Sequence, residues 1–576
     1  MKLRPYQLIA QQSTLNGWKS GERTQLGVMP TGCGKTIVFA SLIRAKFPKR
    51  AMVLAHRHEL IWQARDKIQR VTGFKVDVEM GEYKASVDRD LFHPKSQVIV
   101  STIQTHCAGG DGGGRMGKFD PKDFGVLIVD EAHHATSGSY RRVIDYYMQN
   151  PDLVVLGVTA TPDRSDEEAL GQVFSSVAFD YEILDAIHDG WLVPIDQQMV
   201  SVESLDFGKV RTTAGDLNQA DLDAVMTAEK PLHGVASSTI DIIGDRRGIG
   251  FSASVHHAQM LSEIFNRHRP GMSAFVCAGT DKDERKKIVS DFARGDIQWL
   301  WNCGVFTEGF DDSGVAVIAM ARPTKSRSLY AQMAGRGMRP LESIVPRLNN
   351  SLAAPLRRAT IACSSKPACL IIDFVGNSGK HKLMSTADIL GGNASDEAIE
   401  ATKLFARKQG MPVRIAEQLE DEEERIEEMK KKRLEAERRK ANLTAKATYK
   451  TQSIDPFDIL QIKPAKVRGW HEGKALSEGQ SNVLRKAGLD PSKYDYAQGS
   501  QLCHAIIERW HDDRCTLKQA GLLERCGWSK QEATEMKFKD ASVAIDRAAK
   551  NNWRKPADWK PAPKAVLADD GDDVPF

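Results

Sequence analysis

The sequence predicts an α/β protein of two tandem parallel-sheet lobes, followed by a helical module and an acidic tail. Three observations lead there. Apolar runs alternate with helix-period segments from Leu26 to about Leu192; the pattern restarts near Gly250 and closes on ACLIIDF, Ala368 to Phe374; beyond it, charged and helix-period stretches take over. Buried strands separated by helices form a parallel sheet, because every crossover between parallel strands needs a covering element. The expected divisions are lobes at 1–195 and 196–385, a charged helical linker at 386–460, a basic helical module at 461–560 and a disordered acidic tail at 561–576.

The first lobe carries its chemistry early. MPTGCGKT, Met29 to Thr36, follows the apolar approach Leu26 to Met29 and precedes the helical stretch IVFASLIRAK. In that strand, loop and helix arrangement, Gly32 and Gly34 let backbone N–H groups face phosphates. Lys35 reaches the β/γ oxygens, Thr36 can hold Mg²⁺, and the helix N-terminus adds a positive dipole end. A Gly-Lys-Thr triplet by itself says little. FGVLIVDEAHH supplies the second half: the apolar strand Phe124 to Val129 delivers Asp130 to a magnesium shell and Glu131 to an attacking water.

With both motifs in place, the chain resembles a superfamily 2 helicase of the DEAD/DEAH group, similar to bacterial and phage RadD-like proteins, over roughly residues 1–380. The resemblance implies two RecA-like lobes that close on ATP and Mg²⁺. It makes Gln7 of LRPYQ the adenine-reading amide and Thr31, Gly32, Cys33, Gly34, Lys35 and Thr36 the phosphate loop. LAHRHEL (Leu54 to Leu60) and STIQT (Ser101 to Thr105) resemble strand-gripping motifs, which implies nucleic-acid contacts from Arg57, Ser101 and Thr102. TATP (Thr159 to Pro162) resembles the element that couples hydrolysis to movement, through His133, Thr159 and Thr161. In the second lobe GFSASVHHAQ resembles the fourth motif and NCGVFTEGFDD the fifth, with Thr307 on a nucleic-acid phosphate and Gly309 and Asp311 near the nucleotide. QMAGRGMR matches Q-x-x-G-R-x-x-R, which implies coupling through Gln332 and places the Arg336 and Arg339 guanidiniums on the γ-phosphate. Two departures stand out. Met29 replaces the loop's first glycine, as in the helicase variant of that motif, and the nine cysteines include no C-x-x-C pair, unlike the zinc segments of RadD-like relatives.

Several residues take a plainer reading. His56, His58, His133 and His134 belong to motor motifs rather than to a metal site, and Trp299 and Trp301 alternate on a strand as core residues. The glycine-rich stretch from Ala108 to Lys118 reads as a loop between strands. EDEEERIEEMKKKRLEAERRK, Glu420 to Lys440, offers Glu427/Lys431, Glu428/Lys432 and Glu435/Arg439 at i,i+4 spacing, which predicts a solvated linking helix. Beyond it LSEGQSNVLRKAG and CTLKQAGLLERCG form a weak repeat, each a Ser/Thr-started helix ended by glycine. Their surroundings are rich in Lys and Arg, consistent with an accessory DNA-binding surface or a packing module with an ordinary cationic face.

The end of the chain is more pointed. KPAPKAVLADDGDDVPF resembles the C-terminal tip of bacterial single-stranded DNA-binding proteins, which implies docking on proteins that recognise that tip, through Asp572, Asp573, Pro575 and Phe576. Net charge is only +4, so the chain is no polycation, and no apolar run approaches the ~18 residues of a membrane span. The N-terminus enters LRPYQ without a leader pattern, so a cytoplasmic protein is expected. The expected function is an ATP-dependent DNA helicase or translocase in replication, recombination or repair. An RNA helicase and an ATP-switched recruitment protein are the alternatives, and a restriction-type nuclease finds no carboxylate-and-lysine cluster outside the motor.

Overall fold

The computed structural model describes all residues except 1–2, 57, 87–94, 109–114, 161–168, 214, 308–309, 352, 379–380, 393, 445–454, 466–467, 472, 557–558 and 560–576. Two compact units divide the chain, at 1–437 and 438–576. The first holds both lobes.

In the first lobe, β1 (Thr24–Val28), β2 (Arg50–Ala55), β3 (Val76–Glu79), β4 (Val98–Thr102), β5 (Phe124–Asp130), β6 (Val154–Thr159) and β7 (Ser176–Asp180) form one sheet, ordered β3-β4-β2-β5-β6-β1-β7. Its neighbours all run parallel. Val28 pairs with Thr159 and Asp130 pairs with Val158, so the phosphate loop, the acidic pair and Thr159 leave the sheet at one level. Open α/β sheets bind ligands beyond such carboxyl ends, because the loops there converge while rigid strands fix them.

The second sheet is built from β8 (Ile195–Asp206), β11 (Gly248–Phe251), β12 (Ser273–Val276), β13 (Trp299–Asn302), β14 (Val317–Met320), β15 (Cys369–Asn377) and β16 (Val413–Arg414). Its order is β12-β13-β11-β14-β15-β8-β16, parallel except for β16. A short hairpin of β9 (Thr212–Thr213) and β10 (Asp216–Leu217) stands apart from it. Sequence patterning does not announce β8, because IDQQMVSVESLD lacks an apolar run. It joins the sheet through its ladder with β15, which runs from Cys369↔Ile195 onwards.

The stretch after residue 385 differs from the expected solvated linker. Helices Thr386–Leu390 and Asp396–Gln409 and strand β16 belong to the second lobe, and the long helix Ile415–Thr444 begins by packing on it. Ile415, Leu419 and Ile426 are buried in the same core as Ala398 and Ile399, with Glu423 accepting from Ser395 N and Oγ at 2.9 Å. Spacings of four and seven residues place these three apolar groups on one helical stripe, which the surrounding charges obscure in composition. The Glu428–Lys432 pair forms at 3.1 Å.

Trp299 and Trp301 are fully buried core residues, and glycine makes room for them. They lie directly beside Gly248 and Gly250 in the β11–β13 ladder. A Cβ at Gly250 would stand 2.1 Å from the Trp301 ring, and one at Gly248 2.3 Å from Trp299. In the C-terminal unit the repeat is structural: helices Glu478–Lys486 and Leu517–Arg525 each start with a reciprocal capping box, Ser477 with Gln480 and Thr516 with Gln519. Both copies end at left-handed glycines, Gly488 (φ 81°) and Gly527 (φ 105°).

Overpacking a closed core generally costs about 1–3 kcal/mol. Gly250→Ala should therefore destabilise the second lobe by about that amount, read as a lower thermal unfolding midpoint. Adding Trp301→Phe, which shortens the opposing ring, should recover part of the loss.

Candidate active site

β1 runs into a loop whose shape glycine dictates. Gly32 (φ 92°) and Gly34 (φ 81°) adopt left-handed backbone that L side chains resist. Space is tight as well: a Cβ on Gly32 would meet Arg339 Cγ at 3.2 Å, and one on Gly34 would displace Gln7 Nε2, 2.7 Å away. The helix Lys35–Ala45 starts immediately after, with Gly34 as its N-cap. Cys33 turns its buried carbonyl towards the N-terminal helix Pro5–Lys19, where Tyr6 Oη donates at 2.8 Å and Gln7 Nε2 at 2.9 Å. Gln7 Oε1 accepts from Arg4 N at 3.0 Å. The Gln7 amide thus stands behind the phosphate loop, engaged on both of its ends, and braces that loop.

Beyond the loop lies a cavity of about 270 Å³ between the lobes. The first lobe supplies Thr31, Gly32, Gly34, Lys35, Thr36, Asp130 and Glu131, and the second supplies Phe310, Asp311, Arg336 and Arg339. Leu60, Gln63 and Lys67 complete it from the helix His58–Thr72. Those three were not anticipated, although their spacing of three and then four residues is that of one helix face. Four cations face three carboxylates here, Lys35, Lys67, Arg336 and Arg339 against Asp130, Glu131 and Asp311. That excess suits a polyanion.

The carboxylates differ in state. Burial, reinforced by the Glu131 charge beside it, pushes Asp130 up to about 6. Burial acts on Glu131 in the same direction, but Lys35, His133 and Arg336 outweigh it and hold Glu131 below the usual carboxylate range. Lys35 Nζ lies 3.2 Å from Glu131 Oε1, and His133 Nδ1 lies 3.5 Å from Glu131 Oε2 and 3.3 Å from Thr159 Oγ1. Glu131 itself has left-handed backbone (φ 50°, ψ 56°), so its aim depends on the turn that follows it.

The two arginines also differ. Arg336 donates to Thr307 O at 2.6 Å and Phe310 O at 2.7 Å, so it clamps the loop after β13 as well as lining the cavity. Arg339 pairs with Asp311, and burial lowers it to about 10. A Cβ on Gly335 would stand 3.0 Å from Thr31 Cβ, which shows how closely the second lobe approaches the phosphate loop. The donor set fits ATP with magnesium: Thr36 hydroxyl and Asp130 carboxylate are hard oxygen ligands, and the loop N–H groups, Lys35 and the arginines suit phosphate oxygens.

Other expected site residues are more internal. Ser101 is fully buried, its hydroxyl hydrogen-bonded with Glu79 O at 2.9 Å and His106 Nδ1 at 3.1 Å, so it shapes the loop and does not face solvent. Thr102 caps the helix Ile103–Cys107 by accepting from Thr105 N at 3.3 Å. Thr307 and Gln332 are buried, the latter on the helix Arg327–Ala334. Arg57, Thr161, Gly309, Asp572, Asp573, Pro575 and Phe576 lie outside the described residues.

Comparison with known proteins agrees with this geometry. Residues 1–164 match the family model "Type III restriction enzyme, res subunit" and residues 236–340 match "Helicase conserved C-terminal domain". The chain is 28% identical over 529 residues to the putative ATP-dependent helicase IRC3 of Saccharomyces cerevisiae, covering 86% of this chain and 70% of that one. It is 27% identical over 331 residues to a putative DNA 3'-5' helicase Rad25 of Haloarcula marismortui, covering 54% of this chain and 47% of the other, so it spans about half of that relative's length. Among solved structures, a fragment of a putative HsdR subunit of a type I restriction enzyme from Vibrio vulnificus matches with a TM-score of 0.46 and 20% identity over 66% of this chain and 64% of that one. With both helicase domain models matched in order around one phosphate-binding cavity, the chain carries the two motor domains of an ATP-dependent helicase, a nucleic-acid-dependent ATPase.

Proposed function

We propose that the chain is an ATP-dependent DNA helicase or translocase acting in replication, recombination or repair. The observation that carries this reading is the cavity itself, in which Arg336 and Arg339 of one lobe face Lys35, Asp130 and Glu131 of the other. A nucleotide there is bound by both lobes only when they are closed, and its hydrolysis releases them, which makes ATP turnover a cycle of lobe movement. The preference for DNA rests on relatives such as the putative DNA 3'-5' helicase Rad25 of Haloarcula marismortui.

Each residue has a distinct part in that cycle. The phosphate loop and Lys35 hold the phosphates, and Thr36 with Asp130 would hold magnesium, which neutralises developing phosphate charge. Phosphate contact draws Lys35 away from Glu131, leaving Glu131 to orient and deprotonate a water while His133 and Thr159 steady it. Arg339, exchanging Asp311 for phosphate, stabilises the transition state. The terminal tail is proposed to bind proteins that recognise the single-stranded DNA-binding protein tip, with Phe576 filling an apolar pocket and Asp572 and Asp573 meeting a basic rim.

Four measurements follow from these roles. ATP turnover compared with single-stranded, duplex and forked DNA and with RNA should show the strongest stimulation by a DNA; stimulation by RNA alone would replace DNA as the track. Lys35→Ala should lose ATP turnover through weak nucleotide binding, whereas Glu131→Gln should bind ATP and scarcely hydrolyse it; near-normal turnover in both would sink the motor assignment. Arg339→Ala should keep nucleotide affinity but lose at least about tenfold in turnover, because such a guanidinium acts mainly on transition-state charge. Removing Phe576 from a peptide of residues 565–576 should weaken competition against an authentic tip peptide by about tenfold or more, the burial of one phenyl ring, and unchanged competition would make the likeness compositional.

A further inference from the structure

A column of rings leads from the segment after β2 to the acidic pair of the first lobe. His56 follows β2 at the carboxyl edge of the sheet, inside LAHRHEL, and Gln104 Nε2 of STIQT lies 3.5 Å from His56 Nδ1. The His56 ring stacks on His134 at 4.5 Å and 26°, and His134 packs on His133 at 4.1 Å and 46°. His133 Nδ1 then lies 3.5 Å from Glu131 Oε2. Tyr140, buried on the helix Gly138–Met148, backs His134 at 6.4 Å and 26°.

Adjacency in the sheet produces the column. β2 and β5 pair in parallel with Leu54 opposite Val129, so the loops after them emerge side by side. His133 and His134 ride on the short 3₁₀ turn Ala132–Thr136, which begins directly after the left-handed Glu131. A displacement of that turn therefore re-aims the Glu131 carboxylate. Ring contacts and polar contacts alternate along the column: His56 Nδ1 meets Gln104, and His133 Nδ1 meets Thr159 Oγ1.

We propose that His56 and His134 are positioning residues that carry nucleic-acid occupancy of the LAHRHEL and STIQT segments through His133 to Glu131. The proposal rests on the helicase reading. When a strand binds, the segment around His56 is drawn towards it, the ring contact shifts His134 and its turn, and His133 holds Glu131 in the position that serves water rather than Lys35. Aromatic-type stacks are directional contacts between groups of fixed shape, so they transmit displacement better than a flexible chain of aliphatic side chains would.

The test is coupling measured directly, on the full chain, with a single-stranded DNA oligonucleotide, or RNA should that be the activator. Turnover is read with and without saturating oligonucleotide, and oligonucleotide affinity with and without a non-hydrolysable ATP analogue. His134→Ala should keep basal turnover within about twofold while its stimulation falls about fivefold or more, the usual range of coupling between sites. The analogue's effect on oligonucleotide affinity should shrink correspondingly, a readout that simple loss of catalysis would not move. His134→Phe, which preserves a stacked ring, should retain most of both effects, and His56→Ala combined with His134→Ala should lose no more than either variant alone. If His134→Ala fails to fold, His56→Ala against His134→Phe decides the question. Wild-type stimulation undiminished in His134→Ala, or fully additive losses in the double variant, overturns the column alone. A wild-type chain unresponsive to every nucleic acid overturns the helicase reading, and the column with it.

Discussion

The ion pair between Lys35 and Glu131, 3.2 Å long and largely shielded from water, is the contact around which the first lobe is arranged. Two charges taken out of water recover their hydration only through near-ideal partners, and a group left unpaired there is costly. Lys35 and Glu131 come from elements ninety-six residues apart, and only the shared level of β1, β5 and β6 at the sheet's edge brings them together. The pair is also exchangeable. In the proposed cycle a phosphate takes Lys35 from Glu131 and leaves that carboxylate for water chemistry.

The second lobe answers with the same economy. Arg339 pairs with Asp311 as Lys35 pairs with Glu131, so each lobe keeps a cavity-lining cation satisfied by a neighbouring carboxylate. Arg336 is spent differently, since two of its donors tie down Thr307 and Phe310. One guanidinium therefore fixes the loop while the other remains exchangeable. Arg4 also reaches Asn349 at 3.0 Å and lies 4.5 Å over Trp191, whose ring also meets the Arg357 guanidinium at 4.3 Å. The helix carrying Arg357 grips the connection between lobes, donating to Asp189 O at 2.6 Å.

Motifs of contiguous residues were legible because their chemistry is local. A loop that needs left-handed backbone at two positions must carry Gly32 and Gly34, and a carboxylate pair delivered by a buried strand must follow an apolar run such as Phe124 to Val129. The capping boxes at Ser477 and Thr516 are legible for the same reason, since donor and acceptor lie three residues apart. Other features escaped because their cause is distant. β8 is a strand through its ladder with β15 rather than through any apolar run of its own, and the charged helix from Ile415 hides its buried stripe among glutamates.

The sequence by itself determined the two-lobe α/β class, the phosphate loop, the acidic pair and the arginine motif, since each is fixed by residue types at short range. Tertiary structure alone decided how those groups are used. It turned Ser101 and Thr102 inward, set Gln7 behind the loop, recruited Lys67 and Gln63 to the cavity and stacked His56 on His134. The physical reason is that exposure, charge pairing and ring contact depend on neighbours brought in by strand order, and strand order joins segments that sequence spacing keeps apart.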